Sequence, residues 1–386
     1  MNAELQQDIA VLTDAVRRFT LERIAQQVVQ WDEAGEFPRE LYREAAVVGL
    51  LGLGYPEALG GTPAPFALRN TVSTTMARHG GSGGIMAGLF SLNIGLPPVL
   101  RHGSAQVQQE VIPPVLRGEK IAALAITEPG GGSDVAALRT TARRDGGDWV
   151  IDGEKVFITS GMRADWITMA VRTGDPGSKG AGGISMIVVP GDTPGLSRTV
   201  LDKMGWWCSD TAHLRMDKVR VPARFLLGEE GGGFKIIMSN FNGERLGMSA
   251  MALGFAQACF DEALDWARQR KAFGGALVEK QVIRHKLVDM QMRIASTEAW
   301  LAAVTQLADE GKLESDPDCV AQVCMLKNHS TQAMQFCADQ AVQILGGMGY
   351  MRGMKCERIY REVKVMMIGG GAEEIMKDLA ARQLGL

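Results

Sequence analysis

The chain is poor in the residues that mark special chemistry. Its 386 residues include six cysteines (Cys208, Cys259, Cys319, Cys324, Cys337 and Cys356), with no CxxC pair among them. That spacing excludes a zinc ribbon or dithiol motif and predicts buried, reduced thiols. The five histidines (His79, His102, His213, His285 and His329) are dispersed, without HxxxH or HxxE spacing, so no metal is expected. Net charge is only −3, which leaves no positive excess for nucleic acid or an anionic membrane surface. No apolar run approaches the roughly 20 residues of a membrane span. The first residues, MNAELQQDIA, carry neither signal-peptide nor transit-peptide features, so a cytoplasmic protein is expected. Hydrophobic residues at 46% and charged residues at 22% fit an ordinary globular chain, long enough for two or three domains.

Along the chain the texture changes twice. Residues 1–120 read as helices, with Leu5, Ile9, Leu12, Val16 and Phe19 on one apolar face. Gly49 to Pro65 reads as a loop. Gly80 to Gly95 is crowded with small residues, which suits either close helix packing or the wall of a roomy pocket. Residues 121–230 read as short strands: Ile121 to Ile126, Trp166 to Val171, Ile184 to Val189 and Leu214 to Val221. Asp152-Gly153, inside Trp149 to Thr159, predicts a hairpin turn. Asp175 to Gly183 and Gly191 to Gly195 predict loops. Residues 231–386 are helical again, with a seam of Ile283, Leu287, Met290, Ile294, Leu301 and Val304, Thr297 lying between, and a second apolar helix from Val320 to Gly346. The expected class is α+β: an N-terminal helical domain, a middle β-domain and a C-terminal antiparallel helix bundle.

The stretch Phe234 to Phe255 stands out. Phe234, Ile237, Phe241, Glu244, Met248, Met251 and Phe255 follow alternating steps of 3 and 4, one stripe of a helix. All are apolar except the central carboxylate. Ionising Glu244 there is expensive, so its pKa should rise toward neutrality, where a carboxylate serves as a proton acceptor. A pairing with a neighbouring arginine is the plainer alternative.

A second feature is Ala125 to Asp134 (AITEPGGGSD), a strand followed by three glycines and Ser133, whose exposed backbone N–H groups can grip a polar ligand. With Phe157-Ile158-Thr159-Ser160-Gly161, Arg270-Lys271-Ala272-Phe273-Gly274 plus Gln281, and Gln343-Ile344-Leu345-Gly346-Gly347, it resembles the acyl-CoA dehydrogenase family over nearly the whole chain. The resemblance implies an FAD enzyme. It places Leu124, Ile126 and Thr127 along the flavin, Phe157, Ile158 and Thr159 beside its isoalloxazine ring, and Ser133 near both cofactor and pantetheine arm. Arg270, Phe273, Gln281, Gln343, Ile344, Gly346 and Gly347 would reach the FAD diphosphate and adenosine of a neighbouring subunit, an Arg fork being suited to phosphate oxygens. Such a shared site implies a homo-oligomer, a dimer at least and a tetramer by family habit. Ala372, Glu373 and Glu374 would touch the FAD edge, while Asn242, Arg245, Gly370 and Gly371 would hold the substrate end.

The implied reaction removes two hydrogens from an acyl-CoA, the α-proton to a carboxylate and the β-hydrogen as hydride to flavin N5, with electron-transferring flavoprotein as acceptor. Much of the family carries the base in a YEG-type segment. Here Gly370 stands at that position. The sequence instead resembles the isovaleryl- and long-chain-type branch, whose base lies in an earlier Glu-Arg pair, matched by Glu244-Arg245. Gly370 retains its backbone N–H, which by resemblance polarises the thioester carbonyl. Glu373 and Glu374 are rival bases. Rival functions are an acyl-CoA oxidase using O₂, a flavin-dependent monooxygenase, and a DNA-associated relative, the last disfavoured by the net charge.

Overall fold

The structure is a computed structural model that describes residues 3–174 and 180–386. Part of the expected Asp175 to Gly183 loop lies outside those residues, and so does the side chain of Leu5. Eight helices come first: α1 (Ala3–Phe19), α2 (Val28–Ala34), α3 (Glu40–Val47), α4 (Phe66–Gly80), α5 (Gly83–Leu89), α6 (Leu92–Gly95), α7 (Pro97–His102) and α8 (Ala105–Leu116). Val16 and Phe19 of the predicted α1 face are buried, and Ile9 and Leu12 pack against the same core. No single described helix is long and apolar enough to cross a membrane.

The middle layer is one sheet of β1 (Ala122–Ala125), β2 (Thr141–Asp145), β3 (Asp148–Thr159), β4 (Trp166–Arg172), β5 (Ile184–Pro190), β6 (Leu196–Val200), β7 (Thr211–Pro222) and β8 (Leu226–Leu227). Its order is β6-β7-β3-β2-β4-β5-β8, with β1 parallel to β4. The expected turn at Asp152-Gly153 is not there. β3 runs straight through it, pairing with β2 on one side and β7 on the other, with a register shift between Ile151 and Gly153. Gly153, at φ +145, lets Thr140 approach so closely that a Cβ would sit 2.6 Å from its Oγ1. A glycine between two paired neighbours serves as a bulge, so the pattern mimics a turn. The actual reversal is Gly146-Gly147, between Asp145 and its partner Asp148.

The last part is a bundle of α9 (Gly233–Gln269), α10 (Gln281–Asp309), α11 (Pro317–Leu345), α12 (Lys355–Ile368) and α13 (Glu373–Gln383), with the two-residue strands β9 (Lys271–Ala272) and β10 (Gly275–Ala276) between α9 and α10. Every member of the predicted α10 seam, Thr297 included, is buried. All six cysteines are buried and free. In the Gly80 to Gly95 region the glycines serve close packing, not space. A Cβ on Gly84 would meet Cys208 Sγ at 2.8 Å, and one on Gly88 would meet Phe37 at 2.6 Å.

Candidate active site

Helix α9, unbroken over 37 residues, carries the whole apolar stripe from Phe234 to Phe255. Ile237 and Phe255 are buried, whereas Phe234, Phe241, Met248 and Met251 are only partly covered. The stripe is therefore rooted in the core at two points and open between them. Glu244 sits in the open part. No donor among the described residues bonds its carboxyl, and Oε2 is shielded from solvent without a partner. Burial pushes its pKa up to about 7, against the opposing pull of the Arg245 and Lys327 charges.

The turn after α12 meets this carboxyl. Gly370 has φ +66, and a Cβ added there would lie 3.8 Å from Glu244 Oε1 and 3.0 Å from Met248 Sδ. The two alternative base positions thus face one space, and a Cβ at 370 would crowd Met248 while touching Glu244. Arg245 is buried and spends its bonds elsewhere than on the carboxyl: its Nε donates to the Gly370 carbonyl at 2.9 Å and its Nη1 to Asn242 Oδ1 at 3.2 Å. Asn242 is buried too and donates to the Leu313 carbonyl at 3.2 Å. Both residues hold protein groups in this structure. Lys327, which the sequence reading passed over, is fully buried on α11 and donates to the carbonyls of Met367 and Gly371 at 3.0 and 2.8 Å.

The rival bases are placed differently. Glu373 accepts from Lys377 at 2.7 Å and from Gln332 at 2.6 Å. The Lys377 bond holds its pKa below the usual carboxylate range. Glu374 is exposed in the first turn of α13, where a negative charge suits the helix dipole. Ala372 forms the N-cap position of that helix.

A second group lies on the sheet. Val156 N donates to the Thr127 carbonyl at 2.9 Å, which sets the two predicted flavin segments side by side. Leu124, Thr127 and Thr159 are partly accessible, while Ile126 and Ile158 turn into the core. Phe157 is 69% exposed with φ +62, at a second register shift of β3 between Lys155 and Ile158. A large aromatic held out of a sheet by a left-handed backbone is strained and leaves a flat apolar face on which a planar ring can stack. The residues present therefore fit the ring of a flavin, with Thr127 and Thr159 supplying hydroxyls. Ser133 is exposed on the adjoining glycine loop.

A third group gathers at one end of the bundle. Arg270 ends α9, Gln281 opens the antiparallel α10, and Gln343 closes α11, followed by Gly346 and Gly347. All five are exposed, Ile344 is buried, and Phe273 stands 97% exposed at φ +52.

Family models described as acyl-CoA dehydrogenase N-terminal, middle and C-terminal domains match residues 6–119, 123–219 and 231–385. The chain is 35% identical to the long-chain specific acyl-CoA dehydrogenase of Rattus norvegicus, over 97% of this chain and 86% of that one. It is also 35% identical to a cyclohexane-1-carbonyl-CoA dehydrogenase of Geobacter metallireducens, over 98% and 97%. The crystal structure of a probable acyl-CoA dehydrogenase from Mycobacterium abscessus superposes with a TM-score of 0.93 at 44% identity, covering 97% of this chain and 98% of that chain.

Proposed function

The chain belongs to the acyl-CoA dehydrogenase family, and from that premise we propose that it desaturates an acyl-CoA at the α,β bond with Glu244 as the base, passing electrons to electron-transferring flavoprotein. The observation that carries the reading is the Glu244 carboxyl: unpartnered, shielded, and proton-hungry beside Gly370. Among the other carboxylates of the site, Glu373 is tied up by Lys377 and Gln332 and Glu374 is exposed to solvent, which leaves Glu244 as the shielded acceptor.

FAD, when bound, supplies the hydride acceptor. The chain's own residues do the rest. Glu244 takes the α-proton, and a pKa of about 7 matches its basicity to neutral pH while leaving a substantial ionised fraction. No described backbone or side-chain acceptor takes the Gly370 N–H, so it remains available to a thioester oxygen that gains negative charge as the proton leaves. The uncovered members of the stripe, Phe241, Met248 and Met251, shape an apolar surface for the acyl chain and keep water from the base. Thr127, Phe157 and Thr159 hold the flavin ring. Arg270, Gln281, Gln343, Gly346 and Gly347, exposed at the bundle end, serve the diphosphate and adenosine bound mainly by a neighbouring subunit, which makes the working form a homo-oligomer.

The relatives named above differ in their acyl groups at equal identity, so the experiment spans both classes. Purified flavin-loaded protein is mixed anaerobically with straight-chain, branched and cyclic acyl-CoAs. At least one is expected to bleach the visible flavin band and yield its 2-enoyl-CoA. Failure of every thioester to bleach a bound flavin sinks the reading.

A further inference from the structure

Behind the turn that carries Gly370 lies a buried cation for which the chemistry above has no use. Lys327 has no surface in contact with solvent. A buried ammonium is tolerated only where its hydrogens are satisfied, and Lys327 spends two of them on the carbonyls of Met367 and Gly371. Arg245 reaches the Gly370 carbonyl from the opposite helix. Two cations, from α11 and α9, thus hold three carbonyls between residues 367 and 371. The backbone between them is Gly369-Gly370-Gly371, the most easily rearranged kind of chain. The peptide plane that bears the Gly370 N–H joins residues 369 and 370. Gly369 N is fixed on one side by the Val365 carbonyl at 2.7 Å, and the clamped carbonyls fix the other.

We propose that Lys327 is a positioning residue: with Arg245 it locks the Gly369 to Gly371 turn, keeping the Gly370 N–H aimed at a thioester oxygen, and it presents a positive charge behind the base. The proposal rests on the roles given above to Gly370 and Glu244. The charged and titratable groups facing Lys327 are Arg245 and Glu244 from α9, Cys324 on its own helix, and Glu373 at the start of α13. Burial and Arg245 push the Lys327 pKa down to about 8, while Glu244, Glu373 and Cys324 resist. Reciprocally, its charge restrains the upward shift of Glu244.

The test uses flavin-loaded Lys327→Met and Glu244→Gln beside the wild type. The probe is [1-¹³C]pivaloyl-CoA, which has no α-hydrogen, so that neither base nor flavin can act on it. Its carbonyl stretch, read by difference infrared, reports hydrogen bonding at oxygen alone. The expected result is a downward shift on binding in wild type and Glu244→Gln, and loss of most of that shift in Lys327→Met. With an oxidisable acyl-CoA, Lys327→Met should also lose about tenfold or more in kcat. Its rising limb of kcat/KM should move to higher pH by about one unit, because a carboxylate that loses a nearby positive charge becomes more basic. Full turnover in Glu244→Gln with the carbonyl shift intact removes the base assignment and leaves the clamp standing. No shift in wild type, or an unaltered shift and pH profile in Lys327→Met, overturns the clamp. If Lys327→Met takes up no flavin, Arg245→Lys releases the Gly370 carbonyl and is read the same way, and an unaltered shift there overturns the proposal.

Discussion

Glu128 and Glu244 are the same residue in opposite circumstances. Glu128, 8% exposed after β1, accepts from the backbone N–H of Arg139 at 2.6 Å and of Thr140 at 2.9 Å, and from Lys155 Nζ at 2.8 Å. Burial alone would raise its pKa, but the Lys155 charge and these bonds outweigh burial and hold it below the usual range. Glu244 is half-buried, with Oε2 cut off from solvent and no bond to either oxygen, and its pKa goes the other way. Glu128 is a structural rivet that pins the start of the glycine loop to β3, through the wholly buried Lys155. Glu244 is stored proton affinity. Burial does not make a carboxylate reactive; burial without donors does.

The contrast can be broken most forcefully at the reactive end. Glu244→Gln keeps shape and flavin but removes the proton acceptor, and turnover should fall by about 10²- to 10⁴-fold in steady-state assays. Turnover near wild type would pass the base role to another group and dissolve the distinction. At the structural end, Glu128→Gln leaves the Lys155 ammonium buried without a counter-charge. The expected loss is about 3–5 kcal/mol, a drop in melting temperature on the order of 10 °C. A stable Glu128→Gln would mean that the rivet holds nothing. The gentlest test sharpens the comparison through pH. A carboxyl whose folded pKa is about 7 binds more protons folded than unfolded, so stability falls as pH rises from about 4.5 to 7. Glu244→Gln should therefore melt with wild type at pH 4.5 and outlast it by ~2–4 °C at pH 8. Equal melting temperatures at both pH values would show that the carboxyl is not strained.

Much of this was legible in the sequence because both signals are one-dimensional. The 3-4 spacing around Glu244 and the seam of α10 survive in the linear order of residues, and the fold preserves them as helix faces. One error came from neighbours that no local pattern reveals: Asp152-Gly153 looks like a turn until β2 and β7 flank it. For the same reason the Gly80 to Gly95 stretch could not be decided between close packing and open space until Cys208 and Phe37 were in view. Lys327 was missed although it announces itself as Glu244 does. It shares a stripe with Val323, Thr331, Met334, Cys337 and Ala341, all buried. A cation in an apolar stripe carries the same message as an anion, and only its partners, two carbonyls some 40 residues onward, are invisible in the string. Arg245 and Asn242 show the same limit, since their bonds to the Gly370 and Leu313 carbonyls join distant parts of the chain and are not visible in the string.

The bare backbone at position 370 also constrains how such a chain can change. A Glu or Asp introduced there would bring a second acid to within a few ångströms of the first, and two like charges in one dry space would share a single proton. Removing Glu244 first leaves no acid at all. Any route that relocates the proton acceptor from the helix to the turn must therefore pass through a crowded or an empty step, and the left-handed φ at 370 adds strain to the crowded one. Within one chain, then, the place of the acid is not a detail that drifts one substitution at a time.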